Sequence, residues 1–488
     1  MNNLLNETKE GASQFKSTYN YALDFFSKAG SIFTTDKKQS FYNEDVSIDE
    51  MFQSVWLNDK ELALKLLFWL RDCRGGAGNR SSFKHILRWV AKQHPNYLKD
   101  NLELIPLYGR WDDLTSLFNT PLEAHAAKLW CVAINEQNVL AAKWADRKMK
   151  PIQKEFGINE AQLRKVLSYI RKNHIVEHKM CSKDWSSIKY DNVPSVAMAR
   201  YAKAFKKNDD ERFTKFKMDV AIGKVKINTG ALFPHDCVRT ARNGDTETAN
   251  LQFDNLPQYF DPKDERIMCL CDSSGSMSIQ VSGSVTAYDV STGLSLYCSN
   301  MVGKDNPFYR KFIAFESESK FVDWSKYSFG GCFGFSNRIF DGAVGSTRID
   351  LALKLILDSA LMWNVKQEQL PTTLLIISDM QFTNATGTNG FDRIYDYRPK
   401  VKDHDTEVNK VLDMFVEKGY NPPKIVYWNV ANAGYSGSPE TVEPKFPSVL
   451  VSGFSPSILK AVFECDEESF KPVNIMLKTL EKYKVNMP

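Results

Sequence analysis

The feature that most limits what this chain can fold into is Ile267-Met-Cys-Leu-Cys-Asp272-Ser-Ser274-Gly-Ser276-Met277. An apolar run long enough for one buried strand stops at an aspartate, followed by small hydroxyl residues and a glycine. Open α/β sheets place their ligands beyond the carboxyl ends of the strands, which is where this break falls. The spacing D-x-S-x-S turns the Asp272 carboxylate and the Ser274 and Ser276 hydroxyls toward a common point in a tight loop. All-oxygen donor sets of this kind suit a hard cation such as Mg²⁺. Helix capping by Asp272 and Ser274 is the alternative reading of the same residues.

The motif resembles the metal-ion-dependent adhesion site of a von Willebrand factor A domain. That resemblance implies a threonine and an aspartate from two later loops. Thr347, in Gly345-Ser-Thr347-Arg-Ile-Asp350, and Asp379, closing Leu374-Leu-Ile-Ile-Ser-Asp379, stand in the family's order. The expected metal set is therefore Asp272, Ser274, Ser276, Thr347 and Asp379, with Mg²⁺ or another divalent cation as cofactor. From Arg266 onward, apolar runs at 311–315, 373–378, 424–429 and 448–452 alternate with helical ones at 286–301, 349–363, 407–418 and 457–464. Alternation of this kind predicts an α/β domain with a parallel, doubly wound sheet.

Charge divides the chain. Residues 1–250 carry 39 Lys and Arg against 30 Asp and Glu, whereas residues 251–488 carry 24 against 29. The excess is densest over 143–226, where 21 basic residues face 10 acidic ones. The tract opens with Lys143, Trp144, Arg147, Lys148 and Lys150, and continues through Arg164, Lys165, Arg171, Lys172, His174, His178, Lys179 and Lys183. Trp144, Tyr169 and Trp185 lie among them. Cations neutralise phosphates while aromatic faces stack on bases, so the mixture suits RNA; an ordinary solvated face is the plain alternative. His174, His178 and Cys181 lack the compact second pair that a zinc site needs.

Nine scattered cysteines with no C-x-x-C pair read as free thiols in a reducing compartment. The polar N-terminus has no signal-peptide pattern, and no apolar run is long enough to span a bilayer. A cytoplasmic monomer with no membrane partner is expected.

Up to about residue 208 the apolar positions recur at helical spacing, in runs such as 48–56, 61–70 and 81–93, separated by short polar loops. This predicts an all-α, HEAT-like helical-repeat half with a concave surface open to a partner. The domain expectation is a helical domain over 1–222, a linker or return segment over 223–265 and the α/β domain over 266–488. Arg71-Asp-Cys-Arg74-Gly-Gly76-Ala-Gly78-Asn-Arg80 is either an anion cradle, its amides assisted by three guanidiniums, or a helix terminator. It lacks the Lys-Ser/Thr end of a nucleotide P-loop. Tyr108-Gly-Arg110-Trp111-Asp112-Asp113 is either a structural corner, with Arg110 pairing to Asp112 or Asp113, or an RNA-stacking element.

These two stretches resemble the family called domain of unknown function 2828. So do Val176-Glu-His-Lys-Met180-Cys181-Ser-Lys-Asp-Trp185, Tyr190-Asp-Asn-Val193-Pro194-Ser195-Val-Ala197-Met198 and Gly223-Lys-Val-Lys-Ile227 through Pro234-His235. The resemblance implies a helical half similar to the TROVE module of the Ro ribonucleoproteins, followed by a von Willebrand A domain. It further implies a helical ring, closed by the A domain, holding structured RNA outside and single-stranded ends in its bore. The expected function is Ro-like RNA binding with the metal-bearing domain as clasp or docking site. Candidate RNA contacts are Arg71, Arg74, Arg80, Lys143, Trp144, Arg147, Lys148, Lys150, Arg171, Lys172, His174 and Lys179. The competing expectation is a metal-dependent scaffold that grips an acidic protein partner. None of the seven histidines lies in the three site loops and no triad partner accompanies the serines, so an enzyme is not expected.

Overall fold

The computed structural model describes residues 5–7, 13–15, 20–31, 48–72, 74–172, 175–230, 232–263, 265–272, 275–282, 285–314, 319–333, 349–378, 405–430, 438–439, 448–452 and 472–488. Side-chain caps set the start of the early helices. Asn20 accepts from the Leu23 amide, Asp59 from Leu62 and Asn79 from Ser82, each satisfying a donor that a helix leaves free at its N-terminus. The first group is α1 (Tyr21–Lys28), α2 (Ile48–Asn58), α3 (Lys60–Arg71), α4 (Arg80–Gln93), α5 (Pro95–Lys99) and α6 (Leu104–Tyr108). It continues with α7 (Glu123–Asn135), α8 (Val139–Trp144), α9 (Lys150–Phe156) and α10 (Glu160–Lys172). Their apolar faces share one core, in which Phe52, Trp56, Phe68, Trp69, Phe83 and Trp130 are fully buried. A second, smaller core belongs to α11 (Val176–Cys181), α12 (Ser195–Asn208) and α13 (Asp210–Ala221), packed around Tyr190, Phe205 and Phe213.

The segment over 223–265, expected to be a linker or return segment, is folded against the sheet. The segment contains α14 (Pro234–Arg242) and α15 (Thr246–Asp254), and both belong to the core of the following sheet. Their buried positions include His235, Thr240, Thr248 and Gln252, so no apolar periodicity announces them. Gln252 donates to the Ser195 carbonyl at 3.1 Å, which ties the segment back to α12. α14 lies so close to α16 (Ala287–Met301) that a Cβ on Gly293 would stand 2.6 Å from the His235 nitrogen. Arg242 closes the same contact with a 2.6 Å ion pair to Asp289.

The C-terminal half is built on a six-stranded sheet: β1 (Ile267–Cys271), β2 (Lys311–Ala314), β3 (Lys320–Asp323), β4 (Thr373–Ser378), β5 (Lys424–Asn429) and β6 (Ser448–Ser452). The spatial order is β6-β5-β4-β1-β2-β3, parallel except for the β2–β3 pair. Ile267, Cys269 and Cys271 of β1 face the core shared with α14, α15 and α16. Met268 and Leu270 face the other, with α17 (Ile349–Met362) and α18 (Asp405–Glu417). Every residue of β1 and β4 is buried, the signature of parallel strands covered on both faces. Among the described residues no helix is long and apolar enough to cross a membrane.

The two ends of the chain meet. α1 packs on the edge strand β6. The last helix, α19 (Pro472–Leu480), and the tail after it return to the helical half, where Met476, Leu480 and Tyr483 join its core. The Tyr483 hydroxyl donates to Asp72 Oδ2 at 3.0 Å, and Lys482 Nζ stands 3.1 Å from the same oxygen. Asn101 and Asn486 exchange two 2.8 Å bonds. Burial and the Asp72 charge push the Tyr483 phenol well above its ordinary range, which keeps it a neutral donor. Helical half, middle helices, sheet and tail thus form a closed circuit of packing.

Replacing Tyr483 separates the two contributions to this latch. Tyr483→Phe is expected to cost about 1–3 kcal/mol, because Asp72 loses a donor in a buried place. Tyr483→Ala is expected to cost about 3–5 kcal/mol through the cavity it leaves. Urea unfolding followed by tryptophan fluorescence measures both; a loss below ~0.5 kcal/mol for the alanine variant means the tail is not anchored there.

Candidate functional site

The reversal of strand order falls at β1, whose neighbours are β4 on one side and β2 on the other. A crevice for a ligand opens at such a switch point. Asp272 follows β1 directly and is fully buried; its amide donates to the Ile377 carbonyl at 3.1 Å. Ser378, the last residue of β4, donates its hydroxyl to Asp272 Oδ2 at 2.6 Å. A buried carboxylate beside a hydroxyl at this end of the sheet is an oxygen donor set that fits a hard cation. Ser274, Thr347 and Asp379 lie outside the described residues. The backbone of Ser276 is described, in the short 3₁₀ turn Gly275–Ser278. Among the described residues no group of three or more His, Cys, Asp and Glu is placed to hold a metal. Sequence reasoning passed over Ser378, although a hydroxyl directly after the apolar run Leu374–Ile377 was a visible signal.

The glycine stretch is not an anion cradle. Most of its amides are already committed: Gly76 and Gly78 donate to the Asp72 carbonyl, Ala77 to Trp69 and Asn79 to Leu70. A Cβ on Gly76 would lie 2.1 Å from the Trp69 carbonyl, so the glycine is there for close approach of two backbones. Arg71 is corrected as an RNA contact as well. It is 3% exposed, and its Nε bonds Asp113 Oδ2 at 2.7 Å. Arg80 bonds Asp113 Oδ1 at 3.1 Å and also pairs with Asp112; of the three arginines only Arg74 is solvent-exposed. Asp113 further accepts the Arg110 amide, and Lys84 stands 3.6 Å away. Burial drives the Asp113 carboxyl upward, but the charge of Arg71 and the bonds from Arg71 and Arg80 outweigh it and hold the group below its ordinary value. Arg110 stacks on Trp144, 5.1 Å from the ring centroid, instead of pairing with an acid. The two motifs form one buried structural corner.

The basic tract keeps most of its charge facing water. Among the described residues, Lys143, Arg147, Arg212, Lys217 and Lys224 are in ion pairs, with Glu177, Glu160, Asp209, Glu247 and Asp219. Arg171 is half-buried and grips the end of α8, with Nε 2.8 Å from the Ala142 carbonyl and Nη2 on both Ala142 and Ala145. Lys179 bonds the Ser187 carbonyl at 2.8 Å. Trp144 is half-buried. Lys148, Lys150 and Lys172 are exposed with no side-chain partner among the described residues, and His174 lies outside them. Helix α10 buries Leu163, Leu167 and Ile170. Its opposite face presents Lys165, Tyr169 and Lys172 in one row at helical spacing, with Tyr169 74% exposed. Arg164 stands beside this row, also exposed.

A family model described as Domain of unknown function (DUF2828) matches residues 8–157 and 131–266. The chain belongs to that family. A second model, Domain of unknown function (DUF7788), matches residues 266–485, so the two meet where β1 begins. An uncharacterized protein of Acanthamoeba polyphaga mimivirus is 23% identical over 548 aligned residues, spanning 99% of this chain and 88% of its own length. The crystal structure of the Deinococcus radiodurans RO (RSR) protein superposes with a TM-score of 0.47 at 12% identity, covering 95% of this chain and 99% of that one.

Asp113→Asn is expected to destabilise the fold by about 3–5 kcal/mol at neutral pH, since Arg71 then lies buried without a countercharge. The native carboxyl sits below its unfolded value near ~3.9, so its contribution is complete above about pH 4 and disappears as pH falls through the lower folded value. The difference between wild type and variant should therefore shrink on acidification. Urea midpoints at neutral pH and at about pH 3 check this; a gap that stays constant would remove the linkage.

Proposed function

We propose that this protein binds RNA, single-stranded or structured, along the basic surface of its helical half, and that it is a binding protein and not an enzyme. The observation that carries the reading is the outer face of α10, where Lys165, Tyr169 and Lys172 stand in one exposed row with no ion-pair partner among the described residues. Lysines along one helix face neutralise phosphates of a strand, and a phenol ring between them offers a stacking surface that tolerates any base. Lys148 and Lys150 extend the positive field at the start of α9. Lys143 and Arg171, expected from the sequence to touch RNA, support this surface from within, through Glu177 and the α8 carbonyls.

The α/β half is proposed to hold Mg²⁺, or another divalent cation, through Asp272, Ser274, Ser276, Thr347 and Asp379, as a von Willebrand A-type domain. Two carboxylates and three hydroxyls leave such an ion electrophilic, ready for an acidic ligand from a partner. In this arrangement the α/β half serves as clasp or docking site for the RNA-binding half.

Two measurements test these halves separately. Binding of a fluorescent oligouridylate should weaken steeply with salt, with a log–log slope near −0.7 per phosphate neutralised. Replacing Lys148, Lys165 and Lys172 together with alanine should reduce that slope by about 2. No RNA binding by the wild type, or an unchanged slope in the triple variant, sinks the RNA reading and favours a scaffold for acidic protein partners. For the metal, MgCl₂ at ~100-fold its dissociation constant should stabilise the wild type by about 2.7 kcal/mol in thermal unfolding. Asp272→Asn should remove that response; an equal response in both proteins places the cation elsewhere.

A further inference from the structure

Beside the exposed row on α10 is a cavity of about 290 Å³ whose polar lining is Arg147, Arg164, Arg171, His178, Ser168 and Asp146. Its volume is at the small end of the range for ligand sites, room for a phosphate with part of its sugar. Three elements supply the walls: the turn after α8, one edge of α10 and the helix α11. On α10, Arg164, Ser168 and Arg171 fall at i, i+4 and i+7, which lines them up along one edge.

Two of the three guanidiniums are held from behind. Arg171 rests on the Ala142 and Ala145 carbonyls through Nε and Nη2, and its Nη1 is not used in those bonds. Arg147 uses Nε for Glu160 at 3.1 Å, which leaves its two terminal nitrogens. Arg164, Ser168 and His178 have no side-chain partner among the described residues. Asp146 is the opposing charge; one of its oxygens accepts the Lys148 amide at 2.8 Å and so shapes the turn. Three guanidiniums against the single lining carboxylate leave a positive excess in a concave place. Arginine forks that are already positioned bind a phosphate bidentately and lose little freedom in doing so.

We propose that this pocket seats a phosphate group of a nucleotide, and that on RNA it takes one phosphate of the strand lying along α10. The RNA part rests on the function proposed above; the phosphate site itself does not. Two sources of the phosphate are distinguishable, a strand end and an internal linkage.

The test uses the full chain and two probes: adenosine monophosphate, followed by ³¹P line broadening, and a short labelled oligouridylate with either a 5′-phosphate or a 5′-hydroxyl, followed by anisotropy. Arg164→Ala removes an exposed, unpaired charge and should leave the fold intact; Ser168→Glu places a carboxylate at the mouth of the pocket. Each is expected to weaken both probes about tenfold or more, the usual worth of a charged hydrogen bond. Lys172→Ala, outside the pocket on the same helix, should weaken the oligonucleotide modestly and leave adenosine monophosphate unchanged. A preference for the 5′-phosphorylated strand that vanishes in Arg164→Ala assigns the pocket to a strand end; equal losses for both strands assign it to an internal phosphate. If the wild type binds adenosine monophosphate but no oligonucleotide, and both variants lose it, the pocket stands and RNA binding falls. If the wild type and both variants bind the oligonucleotide and adenosine monophosphate equally well, or the wild type binds neither, the pocket is no phosphate site.

Discussion

Asp72 is the residue on which the closure of this molecule depends. Its carbonyl accepts the Gly76 and Gly78 amides, which folds the glycine loop back over the end of α3. Its side chain takes the Arg74 amide from the same loop, and Lys482 and Tyr483 from the far end of the chain. The Asp72–Tyr483 bond spans 411 residues of sequence. Loop-closure entropy grows only logarithmically, by about 0.6 kcal/mol per doubling of length. A hydrogen bond to a charged group contributes roughly 1.5–3 kcal/mol, and burial of Met476, Leu480 and Tyr483 adds to it. The balance favours a docked tail, and with the tail docked the sheet is held to the helices from two directions: α19 onto the helical core and α1 against β6.

What was legible in the residues follows from which physical signals are local. The strand ending at Asp272 was readable because five apolar residues in a row, stopped by an acid, have few other uses; the structure returns it as the central strand. The helical half was readable from its 3.6-residue period. α14 and α15 were not, because His235, Thr240, Thr248 and Gln252 occupy buried positions and break the period that marks a helix. Arg71 was misread for a related reason: an arginine beside glycines looks like an anion grip until its acid appears, and Asp113 is 42 residues away. Long-range pairing of charges leaves no pattern in a single sequence. Of the five residues proposed to hold a metal, Asp272 lies at the switch point, with Ser378 as an unforeseen neighbour.

The same chemistry therefore serves two purposes in the helical half, and burial separates them. Arg71, Arg80 and Lys84 surround Asp112 and Asp113, so that corner spends its cations on its own acids. Charges in the corner cannot meet a polyanion without leaving a buried carboxylate exposed to its own desolvation. In the 143–226 tract the count of 21 basic residues against 10 acidic ones makes full internal pairing impossible.

That imbalance has a physical cost and a physical use. Like charges crowded on one helix repel, and α10 tolerates Arg164, Lys165, Arg171 and Lys172 because Leu163, Leu167 and Ile170 anchor its other face and Arg171 is turned onto the α8 carbonyls. Counterions offset the remaining repulsion in the free protein, and a polyanion that displaces those ions gains their entropy of release. On the proposed RNA-binding reading, the unpaired cations supply the attraction and the paired ones hold the helices in place. Lys143 on Glu177 ties α8 to α11, and Arg147 on Glu160 ties the turn before α9 to α10, so the helix that carries the exposed row is linked to its neighbours.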